Sequence, residues 1–146
     1  MTKLSEISSL HWQTALQPRA ANPGPNGFPD IVENLDDIHQ ALPIILGTPK
    51  GCDPLRPEFG SDLHRYRDYP VDRARPHVVR GAVAAIGHPQ YGEPRVELVR
   101  VLFSVEADGS AQLCAQWKLA DGVVRETELK LYATRQGPNH GPDNDR

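Results

Sequence analysis

The spacing of apolar residues first predicts a helix in the segment that begins at Asn34. Four apolar residues recur at intervals of three or four, as on one face of a helix: Leu35, Ile38, Leu42 and Ile45. Asn34 has a side chain suited to capping the first turn, and Asp36 and Asp37 would favour the positive end of the helix dipole. Pro43 lacks a backbone N–H, so we expect the helix to kink or tighten there before it ends near Gly47.

Two further helical segments are predicted before residue 90. The first is short, from about Gly60 to Tyr66, and would turn Leu63 and Tyr66 inward. The second is capped by Asp72 and ends where Gly87 is followed by His88 and Pro89. Its spacing places four residues on the inward face: Val79, Ala82, Val83 and Ile86.

From Val96 onward the apolar period changes to two, which is the period of a strand with one buried face. Three such runs follow one another: Val99, Val101, Phe103 and Val105; then Ala111, Leu113, Ala115, Trp117 and Leu119; then Leu129 and Leu131. Asp108-Gly109 and Asp121-Gly122 supply the turns between them. The chain is therefore predicted to be an α+β domain, with N-terminal helices packed on a C-terminal antiparallel three-stranded meander.

The two ends of the chain differ from this domain in composition. Residues 1–17 are predicted to form a short helix, and residues 18–30 are predicted to be a linker because prolines and glycines interrupt any regular pattern. Residues 135–146 contain too few apolar side chains to offset the entropy lost on ordering, so we expect a mobile tail. The predicted division is an extension over 1–33, a folded domain over 34–134 and a tail over 135–146.

Charge and composition narrow the class of partner. The chain of 146 residues has a net charge of -3, which gives no overall attraction for nucleic acid or an anionic membrane. No apolar run reaches the roughly 20 residues that span a bilayer, so we expect a soluble protein made in the cytosol. Its two cysteines, Cys52 and Cys114, have no disulfide or zinc-site spacing and are expected to be reduced. Proteins are the favoured partners.

Candidates for catalysis or metal binding are few. Glu58 and Glu93 both lie in motif-like loops, but no serine elbow or Cys-His pattern accompanies them. We favour salt-bridged loop carboxylates over a glycosidase-like pair. The six histidines are scattered without metal-ligand spacing, and His39 is interpreted as an exposed surface residue. No cofactor is predicted.

A basic segment lies between residues 65 and 80. It interleaves arginines with aromatics: Arg65, Arg67, Arg73, Arg75 and Arg80 with Tyr66 and Tyr69. Asp62, Asp68 and Asp72 interrupt it, so a solvated and partly self-paired helical face is favoured over a nucleic-acid site, with a protein interface between the two.

Two loops each hold one Glu and one Arg beside a proline: Arg56-Pro57-Glu58-Phe59-Gly60 and Glu93-Pro94-Arg95-Val96. Proline presets the backbone, so little entropy is lost when these charges pair with a partner or with each other. With the helix that ends in Ile45-Leu46-Gly47-Thr48, the two loops resemble the phage baseplate assembly protein W family. That family includes the baseplate wedge subunit of contractile tails and the related type VI secretion subunit. The resemblance covers roughly residues 34–132.

The resemblance implies a non-enzymatic structural subunit of the virion tail baseplate, assembled in the host cytoplasm. Several copies would ring the tail tube, dock on wedge proteins and meet the tail sheath protein, with tube or hub proteins as further neighbours. Glu93, Pro94 and Arg95 match the Glu-Pro-Arg core that the family uses toward wedge partners. An Arg95→Ala change is therefore expected to leave the fold intact and block assembly.

The remaining expected contacts are Arg56, Glu58 and Phe59 in the first loop, and Thr127 and Leu129 on the last strand, where the sheath would start. One departure stands out, since Gly92 occupies a position that is often a large aromatic in the family. Two rival functions remain at this point. One is a peptidoglycan-cleaving enzyme that uses Glu58 or Glu93, and the other is a nucleic-acid adaptor that uses the basic segment.

Overall fold

The structure, a computed structural model, describes residues 11–16, 30–106 and 109–132. Its elements in chain order are β1 (Trp12–Thr14), β2 (Ile31–Glu33), α1 (Asn34–Gly47), a 3-10 helix (Leu63–Tyr66), α2 (Val71–Ile86), β3 (Glu97–Val105), β4 (Ala111–Lys118) and β5 (Val124–Tyr132). Strands β1 and β2 form an antiparallel pair, and β3, β4 and β5 form an antiparallel sheet in that order. The α+β prediction with its three-stranded meander is confirmed.

The core lies between the two helices and one face of the three-stranded sheet. Central strand β4 alternates strictly, and its inward residues are all buried: Ala111, Leu113, Ala115 and Trp117. Leu42 of α1 and Val78 of α2 belong to the same buried cluster and are fully buried. Burying a side chain of this kind contributes about 1.5 to 3 kcal/mol, so this layer holds the helices on the sheet.

Strand β3 departs from the predicted alternation at Val99. Its pairing register with β4 shifts between Leu98 and Arg100, as at a β-bulge. The extra residue leaves Val99 half exposed, while Leu98 packs on the core and Val101 is buried. The predicted inward orientation was wrong for Val99, and also for Val105, which is exposed at the end of the strand.

Both helices begin differently from the prediction. Asn34 is the first residue of α1 with φ of 53°, Glu33 precedes it, and no side chain caps the first turn. Asp72 lies inside the first turn of α2, which starts after Pro70 and also lacks a side-chain cap. The two predicted caps were therefore wrong, whereas the predicted end of α1 at Gly47, beyond Pro43, is confirmed.

The inward face of α2 is also rotated from the predicted one. Its buried residues are Ala74, Val78, Ala82, Ala85 and Ile86. Val83 is 47% exposed, and Leu35 on α1 is 38% exposed. Small alanines take the places of larger apolar residues where α2 approaches its neighbours, which apolar periodicity alone does not distinguish.

The segment around Trp12 is a strand and not the predicted helix. β1 pairs with β2, with Trp12 opposite Glu33. Two glutamine side chains fasten the pair to α1, because Gln13 Nε2 donates to the Asp37 carbonyl at 2.9 Å and Gln40 Nε2 donates to the Thr14 carbonyl at 2.8 Å. The predicted tail, and the predicted linker apart from Asp30, lie outside the described residues. Within the described ranges, no helix has the length and apolarity needed to cross a membrane.

Candidate functional site

The loop between α2 and β3 is shaped by a close backbone approach at Gly92. Its N–H donates to the His88 carbonyl at 2.9 Å, and the next N–H, of Glu93, donates to the Ile86 carbonyl at 2.9 Å. A Cβ added to Gly92 would lie 2.2 Å from the Ile86 carbonyl oxygen. Only glycine fits this backbone path.

The loop places Glu93 and Arg95 against the first turn of α1. Arg95 Nε lies 2.6 Å from Glu93 Oε1, and Arg95 Nη2 lies 2.7 Å from Glu93 Oε2. Arg95 Nη1 reaches Asp37 Oδ2 at 2.5 Å. Glu93 and Asp37 are buried, and the Arg95 side chain is 24% exposed. The Glu-Pro-Arg segment therefore forms an internal ion-pair network that joins its loop to α1, through Arg95 and Asp37, which are 58 residues apart in the sequence.

The pairing of Glu93 with Arg95 shifts the pKa of both groups toward their charged forms. Burial by itself raises the pKa of Glu93, but hydrogen bonds from the Arg95 side chain and backbone outweigh burial and leave that pKa below its ordinary value. The same side-chain hydrogen bond raises the pKa of Arg95. A general acid requires a raised carboxyl pKa, so Glu93 is shifted in the direction opposite to that role.

The loop that contains Phe59 contacts the loop between α2 and β3 through aromatic rings. Phe59 and Tyr91 meet nearly at right angles with ring centroids 6.3 Å apart, and Tyr91 stacks on His88 at 5.3 Å. Arg56 lies 4.5 Å above the Phe59 ring and pairs with Asp53 at 2.9 Å. The two motif-like loops are thus neighbours, and aromatic rings make the contact between them.

Glu58 has none of the surroundings of an activated carboxyl. Its side chain is 69% exposed, and Oε2 lies 3.9 Å from Lys50 Nζ. The loop itself is anchored to the end of α1, where the Ser61 N–H donates to the Thr48 carbonyl at 2.8 Å. Gly60 turns the chain with φ of 102°, in the region that favours glycine. Glu58 is therefore presented to solvent on a fixed loop.

The predicted interface residues on β5 face the core. Thr127 is buried, and its Oγ1 accepts a hydrogen bond from Trp117 Nε1 at 2.9 Å. The same oxygen lies 2.9 Å from His39 Nδ1, and the His39 ring contacts Trp117 edge-on. Leu129 packs against the core. His39 is thus half-buried and hydrogen-bonded, so its assignment as an exposed surface residue was wrong.

Sequence reasoning missed Asp37 and His39 as members of these networks. Asp37 was considered only as a charge near the helix dipole, yet it stands four residues before Ala41 and beside Ile38, on the inward stripe. His39 lies three residues before Leu42, at the margin of the same stripe. Helical spacing could have placed both residues near the core, but nothing in the sequence pointed to Arg95 or Thr127 as their partners.

The basic segment is partly self-paired. Arg65 Nε lies 3.2 Å from Asp62 Oδ1, and Tyr66 stacks on His77 with centroids 4.9 Å apart. In the described part of the chain, no group of three or more histidine, cysteine or acidic side chains is placed to hold a metal ion. Cys52 and Cys114 are both free thiols.

Comparison with solved structures returns a similar fold. A crystal structure described as a tail lysozyme from Geobacter sulfurreducens superimposes with a TM-score of 0.55 at 23% sequence identity, covering 68% of this chain and 92% of that chain. At that identity the likeness establishes the fold alone. No curated protein sequence matches the chain.

Comparison with protein families returns a more specific result. The model of the family described as "Baseplate wedge protein gp25" matches residues 32–118, more than half of the chain. The match covers both motif-like loops and all three residues of the Asp37, Arg95 and Glu93 network. The chain therefore belongs to the baseplate wedge protein gp25 family, whose members are structural components of the phage tail baseplate.

Proposed function

We propose that this chain is the baseplate subunit of a contractile tail that docks on wedge proteins and starts polymerisation of the sheath. The observation that carries the proposal is the position of β5. This strand pairs with β4 and stands at the edge of its sheet. An edge strand presents backbone donors and acceptors that a strand of another protein can extend.

The side chains of β5 suit selective pairing. Glu126, Glu128 and Lys130 are exposed, and such charges discourage random edge-to-edge association of isolated subunits. Thr127 and Leu129 face inward and hold the strand on α1 and the core. Their role in sheath initiation is then to fix the edge, and the contact with a sheath strand is made by the backbone.

Docking on wedge proteins is assigned to the two joined loops. Glu93 pairs with Arg95, and Arg95 also pairs with Asp37, so the role of Glu93 and Arg95 is to set the loop conformation. Pro94 is exposed between them, and Arg56 and Glu58 are exposed on the other loop, where Phe59 is half-buried. These four residues form the proposed contact surface. Several copies would be arranged around the tail tube, near tube or hub proteins, in particles assembled in the host cytoplasm.

Amide hydrogen exchange tests the strand-addition part of the proposal. In the isolated chain, alternate amides of β5 should exchange fast because alternate N–H groups point away from β4. In purified tails carrying a sheath, the same amides should become protected by at least tenfold. Central strand β4 is the internal control, since its amides are paired on both sides and should be protected in both samples. Unchanged exchange along β5 in tails would contradict the proposal.

A further inference from the structure

An open groove of about 1120 Å³ lies on the outer side of α1. Ile31 of β2 and Leu16, two residues beyond β1, line one wall, and β5 contributes Glu128. Pro43 and Ile44 of α1 also line it. The groove is distinct from the joined loops of the proposed wedge contact, since none of their residues lines it.

The apolar part of the groove is exposed. Leu16 is 67% exposed and Ile31 is 55% exposed, although both are large apolar residues. They flank a segment of α1 whose own groove residues, Pro43 and Ile44, are half-buried. Contiguous exposed apolar surface with polar groups at its rim is typical of a site for another protein.

Within the described residues, the charged side chains that line the groove are acidic, and no lysine or arginine is among them. Asp30 and Glu128 are two of these carboxylates, and the third, Asp36, already interacts with another group of the chain. Lys130, two residues beyond Glu128, lines a separate crevice of about 200 Å³. Pro43 adds to the excess of hydrogen-bond acceptors, because it has no N–H to donate to the carbonyl of the preceding helical turn. The groove therefore offers hydrogen-bond acceptors and negative charge around an apolar centre.

We propose that this groove docks a segment of another baseplate protein that carries two or three large apolar side chains and a lysine or arginine. The apolar side chains would cover Leu16 and Ile31, and the cation would lie at the acidic rim near Glu128. Charge complementarity selects this occupant, since an acidic segment would meet the like charges of Asp30 and Glu128. The proposal rests on the proposed function for the source of the partner, and the groove itself supplies the partner's chemistry.

Site-specific photo-crosslinking in purified tails tests this inference. A benzoylphenylalanine at position 16 replaces an exposed side chain of the groove wall, and the same group in place of Val83, exposed on α2, is the matched control. We expect the group at position 16 to join a peptide of another tail protein with at least two large apolar residues and a lysine or arginine. The control should not join that peptide.

A charge reversal completes the test. Glu128→Lys should lower the cross-link yield per incorporated chain at least tenfold, while Glu106→Lys, at an exposed site outside the groove, should leave it near the parental level. Equal yields, a cross-linked acidic peptide, a second copy of this chain or no cross-link would each overturn the inference. Tails that contain the chain but give no cross-link would leave the proposed function standing. Tails that lack the chain would refute the proposed function and this inference together.

Discussion

Arg95 holds Glu93 at two points, with Nε 2.6 Å from Oε1 and Nη2 2.7 Å from Oε2, while its remaining nitrogen contacts Asp37. One cation therefore serves two buried carboxylates. This arrangement joins the loop before β3 to the start of α1, so a short motif that looks like a surface contact in the sequence is first of all an internal connection.

Removing this cation should destabilise the fold. Arg95→Ala leaves Glu93 and Asp37 buried without their partner, and breaking a buried ion pair typically costs about 3 to 5 kcal/mol. This replaces the expectation from sequence that the fold would stay intact. Urea unfolding of the two proteins measures the difference.

Arg95→Lys provides the matched control for that variant. Lysine keeps the positive charge but cannot contact both carboxylate oxygens of Glu93 as arginine does. The free energy of unfolding of Arg95→Lys should therefore lie between those of wild type and Arg95→Ala. If Arg95→Ala unfolds at the same urea concentration as wild type, the network contributes nothing to stability and this account of it is wrong.

Acid should weaken the fold through Glu93. Its pKa is lower in the folded state than in the unfolded chain, so its contribution is fully present above the unfolded-state pKa, about 4.3. That contribution is lost as the pH falls through the lower folded-state value. The difference in unfolding free energy between wild type and Glu93→Gln should therefore shrink on acidification. A difference that grows as the pH falls would show that the sign is wrong.

The hydroxyl of the buried residue Thr127 should contribute to the stability of the fold. Thr127→Val keeps the shape but leaves the buried Trp117 N–H without its acceptor, which typically costs about 1 to 3 kcal/mol. Thr127→Ser retains the hydroxyl and should lose less. Thermal melts followed by tryptophan fluorescence compare the three proteins, and a valine variant as stable as wild type would rule out a structural role for this hydrogen bond.

Substitution by alanine should lower the stability of the protein at Gly92 but not at Gly47. Gly92→Ala brings a Cβ to 2.2 Å from a carbonyl oxygen, and overpacking of this kind typically costs about 1 to 3 kcal/mol. Gly47→Ala meets nothing within 4 Å at the end of α1 and should be neutral or slightly stabilising. Equal melting temperatures for the two variants would contradict the account of the loop.

The predictable part of the fold is the part set by local periodicity. Strand β4 has a buried inner face and a paired strand on each side, so its alternation appears unbroken in the sequence. The two helices were located for the same reason. Their starts were not, because neither Asn34 nor Asp72 makes the expected cap.

The remaining features depend on partners far along the chain. The bulge at Val99 exists only in the register that β3 adopts against β4, and the strand at Trp12 exists because β2 pairs with it. Arg95 and Asp37 are 58 residues apart, and His39 and Thr127 are 88 apart. A single sequence specifies these side chains but does not show which pairs will meet.

Electron cryomicroscopy of purified tails tests the central claim most directly. Residues 30–132 should fit density in the baseplate, with the loops of Arg56 and Pro94 against a wedge protein. Strand β5 should continue into a sheet formed with a strand of the first sheath ring. A baseplate that holds this chain with β5 against solvent, or covered by a protein other than the sheath, would contradict the claim.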